Sequence, residues 1–192
     1  MLAQSNPALA DDYKGAKHAA EAQSKFVRYS GRFFLTAVGK VNTYSLFAET
    51  DTRVLTDYGR AGLVVPTGIA TDDTTKAFFG NLVAEHKLHS LYGYENEGNI
   101  FVGVHHAFKF ALLTAGGVRT FMPTEITFLC RRIEDIRNPI RRFRLSADDF
   151  ALLNPNTRTC PVFRTRADAE ITKKLSQNGL RKLIWNTVEG NP

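Results

Sequence analysis

The 192 residues carry 43% apolar side chains and 25 Lys/Arg against 19 Asp/Glu, a net charge of +6. That is enough apolar material for one domain with a sizeable core and excludes a chain disordered throughout. Two cysteines, Cys130 and Cys160, are too few for a disulfide framework or a cysteine metal cluster, so buried thiols in a reduced, cytoplasmic setting are expected.

The chain opens with no basic flank leading into an apolar run, and no later run approaches the roughly 20 apolar residues of a membrane span, so no membrane partner is expected. Asn6-Pro7 begins a polar, alanine-rich stretch that predicts one long, partly exposed helix over 8–30, stopped by Gly31. Residues 1–30 thus read as a helical arm. Apolar side chains at Tyr44, Leu46, Phe47, Val54 and Leu55 predict an amphipathic helix over 41–55, ending before Asp57-Tyr58-Gly59. The uninterrupted apolar run that follows, 61–66, reads as a central strand of a parallel sheet with helices on both faces. Thr71-Asp72-Asp73 offers an N-cap and negative charge for the next helix, which Ala77, Phe78, Leu82 and Val83 stripe on one face. Segments 88–94 and 108–114 read as two further strands, joined by a hairpin-like excursion containing Gly98 and Gly103; Gly116-Gly117 closes the sheet pattern. Residues 31–118 are the α/β part.

Residues 119–192 change to short elements. Segment 124–132 reads as a strand or a helix start, Ser146-Ala147-Asp148-Asp149-Phe150 as a capped helix start, and Asn154-Pro155-Asn156-Thr157 as a turn. A last helix begins near 165–168 and runs through Ile171, Thr172 and Leu175 towards Gly179. Charge divides along the same line: residues 1–118 hold 11 Lys/Arg against 11 Asp/Glu, residues 119–192 hold 14 against 8. The whole excess lies in this basic extension, which suggests a polyanion partner there or an ordinary solvated face.

Several of these segments belong together. Val41-Asn42-Thr43-Tyr44-Ser45-Leu46-Phe47-Ala48-Glu49, then Gly59-Arg60-Ala61-Gly62-Leu63-Val64-Val65-Pro66 running into Thr67–Asp73, the 95–114 hairpin and the 154–164 segment resemble, in that order, adenine-specific DNA methyltransferases of restriction-modification systems. The likeness covers about residues 20 to 174. In that family a cofactor loop and an Asn/Asp-Pro-Pro-aromatic signature come first. Then follow a helix, a strand ending in Val/Ile-Pro, another helix and a two-strand hairpin. The resemblance implies an α/β fold, a partial class I S-adenosylmethionine-dependent methyltransferase (Rossmann-like) sheet with the helical arm before it. The basic extension then starts a DNA-contacting region.

Two departures shape the functional expectation. No glycine-rich cofactor loop opens a helix, and Asn6-Pro7, Asn138-Pro139 and Asn154-Pro155 each lack the second proline and the aromatic. In the family that signature accepts hydrogen bonds from the adenine amino group and stacks on the flipped base. Consequently no catalytic, cofactor-binding or metal-binding residue is assigned. Val102 also stands where related sequences carry proline. The resemblance implies a fragment or subunit of a site-specific DNA adenine methyltransferase, inactive alone. S-adenosylmethionine would serve the intact enzyme but not this chain by itself. Its partners would be duplex DNA and a polypeptide carrying the missing N-terminal cofactor-binding half. The alternatives are a non-enzymatic DNA-binding module and a truncated remnant. A sheet lacking its centre should expose an unpaired strand edge and an apolar face.

Several individual side chains are candidates for chemistry. His105-His106, if on a strand, point to opposite sides and make no metal pair. Glu95 and Glu97 flank a loop without a catalytic motif. Phe101 is placed by the resemblance in the hairpin near the flipped base, where it stacks on a base or packs on the sheet. Arg131, Arg132, Arg137, Arg141, Arg142 and Arg144 form the densest basic run, with Glu134 and Asp135 beside them. Arg158, Arg164 and Arg166 lie close to a turn that can present them together to phosphates. The candidate DNA-binding set is Phe101, Arg141, Arg142, Arg158, Arg164 and Arg166.

Overall fold

The computed structural model describes residues 2–117 and 123–179; Met1, Val118 to Met122 and Leu180 to Pro192 lie outside the described residues, and with them 119–122 and 180–192 of the predicted basic extension. A short helix α1 (Leu2–Ser5) leads into α2 (Pro7–Tyr29). The start of α2 follows local chemistry: the Asn6 side chain accepts the Leu9 N–H at 3.1 Å, and Pro7 occupies the first turn. Only Ala10 among its residues is buried. Its far end is fastened by Arg28, whose guanidinium donates to the Gly39 carbonyl at 2.7 Å. α2 thus stands largely clear of the core.

α3 (Thr43–Arg53) packs Ala48 into the core and leads to β1 (Arg60–Pro66). α4 (Gly68–Thr71), a 3-10 turn over Asp73–Thr75 and α5 (Lys76–Ala84) follow. The single helix start expected at 71–73 is therefore broken into three pieces. The Thr75 hydroxyl donates to the Gly68 carbonyl at 2.6 Å and so ties the break together. β2 (Leu88–Glu95) and β3 (Lys109–Gly116) form the expected antiparallel hairpin.

The sheet does not stop at Gly116-Gly117. β4 (Thr124–Cys130) runs parallel to β2, and β5 (Phe143–Leu145) pairs antiparallel with β4. The result is a mixed α/β fold with a five-stranded, mostly antiparallel sheet in the order β1-β3-β2-β4-β5. α6 (Ala147–Leu153) and α7 (Arg166–Gln177) complete the fold, each opened by a reciprocal capping box, Ser146 with Asp149 and Thr165 with Asp168.

Register sorts the side chains into two faces. Leu63, Leu113 and Leu91 are neighbours across β1, β3 and β2 and meet the core formed by Ile69, Phe78, Phe79, Leu82, Phe150 and Leu153 of the helices. Phe79 and Phe150 meet edge to face at 5.6 Å and join α5 to α6. The adjacent row, Val64, Leu112 and Tyr92, belongs to the opposite face. There Val64 is 59% exposed.

β1 corrects one expectation directly. Its apolar run reads as a central strand of a parallel sheet, yet it pairs antiparallel with β3 and, among the described residues, no strand pairs with its other edge. A run of apolar residues reports affinity for burial on two faces, but it contains no record of which neighbour provides it.

Candidate nucleic-acid interface

Glu125 organises the opposite end of the sheet. It lies in β4, only 13% exposed at its side chain, and accepts from Arg142 at 2.6 Å; Arg144 lies at 3.8 Å, and the Tyr92 hydroxyl also donates to it. Burial works to raise its pKa, but these donors and the two guanidinium charges outweigh it and hold the carboxyl below its ordinary value. β5 puts Phe143 and Leu145 into the core and turns Arg144 outwards between them, as strand alternation requires.

α7 lies across from β5, and the two flank a cleft of about 520 Å³. Arg142, Arg144, Arg166 and Lys173 line it, with Glu125 and Glu170 as the acidic groups and Pro139, Phe143, Leu145 and Ala169 as apolar surface. Arg166 pairs through Nε with Glu170 at 2.7 Å. Lys173 is held by Asp149, whose carboxyl is desolvated yet kept low by that lysine and by Ser146.

The six candidate residues do not form one cluster. Arg142 and Arg166 line the cleft, whereas Arg141, Arg158 and Arg164 do not. Arg141 instead donates to the Leu129 carbonyl at 2.9 Å. Leu129 has a φ of 57° at the point where the β2–β4 register shifts, so Arg141 caps a β-bulge. Arg158 and Arg164 are exposed on the segment between α6 and α7.

Phe101 lies far from these groups in sequence, in the β2–β3 connection, and is 40% exposed. Its ring meets Phe110 edge-on at 4.8 Å, and Phe110 stacks on Tyr94 at 5.1 Å. The Tyr94 hydroxyl is buried without a hydrogen-bond partner among the described residues. Burial, then the neighbouring Cys130, Asp135 and Glu134, push it up to about 12. Asn96, fully buried, shapes the connection: its amide donates to the Phe101 and Val104 carbonyls and its oxygen accepts the Phe101 N–H. Sequence reasoning missed Asn96, because its partners are backbone groups that only the loop's conformation brings near. It also named Arg144 without selecting it and passed over Lys173; strand alternation in Phe143-Arg144-Leu145 was the available signal for Arg144.

Other candidate groups have structural partners. Arg131 bridges Glu95 at 3.1 Å and Glu97 at 3.0 Å, and Lys109 reaches Glu95 at 3.5 Å. His105 and His106 lie in a turn rather than on a strand, with ring centroids 4.3 Å apart. Their expected opposite orientation is corrected by that turn, which removes the alternation of a strand. Among the described residues, no group of three or more His, Cys, Asp or Glu side chains is placed to hold a metal ion. Nor is any described helix long and apolar enough to cross a membrane. Both thiols are buried; burial, with Asp135 nearby, pushes Cys130 up to about 11, and burial alone raises Cys160 further.

No family model and no curated protein matches the chain. Among solved structures it is similar to the type IIG restriction endonuclease BpuSI, at 18% identity and a TM-score of 0.43, over 84% of this chain. The chain spans 19% of the length of that protein.

Proposed function

We propose that this chain is the far half of an adenine-specific DNA methyltransferase domain of a restriction-modification system. On this reading it contributes sheet and DNA contacts, and a second polypeptide brings the S-adenosylmethionine site and the Pro-Pro signature. The observation that carries the reading is β1. The order of α3, a strand ending at Pro66, α4–α5 and the β2–β3 hairpin follows the family's order, and the strand that would stand next to the missing centre has an edge that no strand pairs with among the described residues. The partner polypeptide would add a strand there, pairing β1 on both edges and completing a Rossmann-like sheet. Duplex DNA would meet the basic region that holds Arg142, Arg158, Arg164 and Arg166, with Phe101 at the hairpin.

The test is co-expression with a cofactor-binding half and measurement of labelled methyl transfer to duplex DNA. Transfer in the mixture and in neither half alone is the expected outcome. Transfer by this chain alone, or none from a soluble complex, would overturn the reading. A second reading, a DNA-binding module that catalyses nothing, is favoured by the cationic cleft taken by itself. It predicts binding that weakens steeply with salt and needs no second polypeptide.

A further inference from the structure

We propose that the cleft between β5 and α7 is a phosphate site, with Arg144 and Arg166 as its donors, and that the phosphate it takes belongs to a nucleic-acid backbone. The last part rests on the DNA-contacting reading above.

The assignment follows from which cations are already committed. Arg142 is held at hydrogen-bond distance by Glu125, and Lys173 by Asp149. Arg144 stays 3.8 Å from Glu125, too far for a hydrogen bond, so its guanidinium donors remain available to a ligand. Arg166 spends Nε on Glu170, which leaves the two terminal nitrogens of its fork. Their side chains are 65% and 66% exposed, so neither must be desolvated or unpacked to reach an anion.

The two arginines come from different elements, one from β5 and one from the first turn of α7, and they line the same cavity. Two guanidinium forks suit the several acceptor oxygens of a phosphate. The four cations of the lining outnumber its two carboxylates, Glu125 and Glu170, and the exposed Pro139 offers an apolar contact for the sugar beside the phosphate. A volume of about 520 Å³ has room for a nucleotide-sized group.

The experiment follows the full chain binding a labelled duplex by fluorescence anisotropy across a salt series, with inorganic phosphate titrated separately by calorimetry. Arg144→Gln/Arg166→Gln is compared with Lys25→Gln/Lys40→Gln, two exposed lysines outside the cleft and outside the proposed DNA-contacting set, which should leave affinity and salt slope unchanged. The cleft pair should weaken duplex binding about tenfold or more at low salt. It should also flatten the dependence of log affinity on log salt by about 0.9 for each phosphate that is no longer neutralised. Circular dichroism establishes that each variant is folded, and the single variants Arg144→Lys and Arg166→Lys, which keep the charge and lose the fork, should fall between. If the duplex binds and the cleft pair leaves affinity and slope unchanged, the site is overturned while the DNA-contacting reading stands. If the duplex fails to bind but inorganic phosphate binds the native chain and not the cleft pair, the anion site stands, and its backbone source and the DNA reading fall. Binding of neither overturns both.

Discussion

The two edges of the sheet are built on opposite principles. β5 is three residues long, exposes an arginine between two buried apolar side chains and is flanked by the cleft that α7 helps to line. Short length and outward charge are the devices by which an edge strand avoids pairing with another chain. β1 is seven residues long, carries charge only at Arg60, and shows Val64 in a row with Leu112 and Tyr92 on the less covered face. Its register against β3 is unbroken, with no bulge to twist the edge away. One sheet thus protects one edge and leaves the other suited to pairing, which supports assigning a partner strand to β1 and a charged ligand to the β5 side.

That contrast breaks most sharply at Val64. On the proposed function, Val64→Lys puts an ammonium beside the strand to be paired and should cut methyl transfer by the complemented mixture about a hundredfold or more. The isolated chain should keep its denaturation midpoint, because the site is exposed in it. Equal transfer by the variant would show that β1 is not the joining edge.

The strands between the edges should be more sensitive to volume. A Cβ built at Gly93 in β2 would overlap the buried Phe128 ring of β4. Gly93→Ala should therefore cost about 1–3 kcal/mol in urea denaturation, from overpacking a ring with no room to retreat. Arg141→Ala should cost about 1–2 kcal/mol, since it uncovers the Leu129 carbonyl at the bulge. Arg158→Ala should leave the midpoint where it is, separating a bulge cap from an exposed arginine.

Acid should act on the β5 side first. Glu125 is held low against the pull of burial by Arg142 and Tyr92. Asp135 is held low chiefly by the backbone N–H groups of Arg131 and Arg132. Asp149 is held low, again against burial, by Lys173 and Ser146. Each has a folded pKa below its unfolded one. The stability they contribute is present above the ordinary carboxylate range, near 3.8 for Asp and 4.5 for Glu, and is lost as pH falls through the folded values. Amide exchange at falling pH should show β4–β5 opening before β1–β3; simultaneous opening would remove the electrostatic difference between the edges. The smallest expected effect concerns the thiols. With Cys130 raised to about 11 and Cys160 also raised by burial, both should react with a thiol reagent at neutral pH only as fast as the chain unfolds.

Much of the local structure was legible. Asn6-Pro7, Ser146 with Asp149 and Thr165 with Asp168 announce helix starts through bonds spanning three residues, and each start lies where the sequence puts it. The hairpin of β2 and β3 was legible from apolar segments separated by glycines. The cleft was only half legible: Arg142 and Arg166 were named, but the partner that commits Arg142 is Glu125, 17 positions earlier in the chain. Arg141 and Arg142 look alike in the sequence, yet one caps a backbone bulge and the other joins a carboxylate network.

By itself, the sequence determined where α2, α6 and α7 begin, that β1, β2 and β3 are strands, that residues 119–192 carry the excess positive charge, and that the cofactor and Pro-Pro motifs are absent from it. Capping, side-chain periodicity and formal charge act over a few residues, so a linear reading captures them. Tertiary structure alone decided that β1 is an edge among the described residues, that β4 and β5 extend the same sheet, and which arginines are committed to partners. Strand order and ion pairing depend on which distant segments meet, and the free energy of those meetings is absent from any short stretch of the chain.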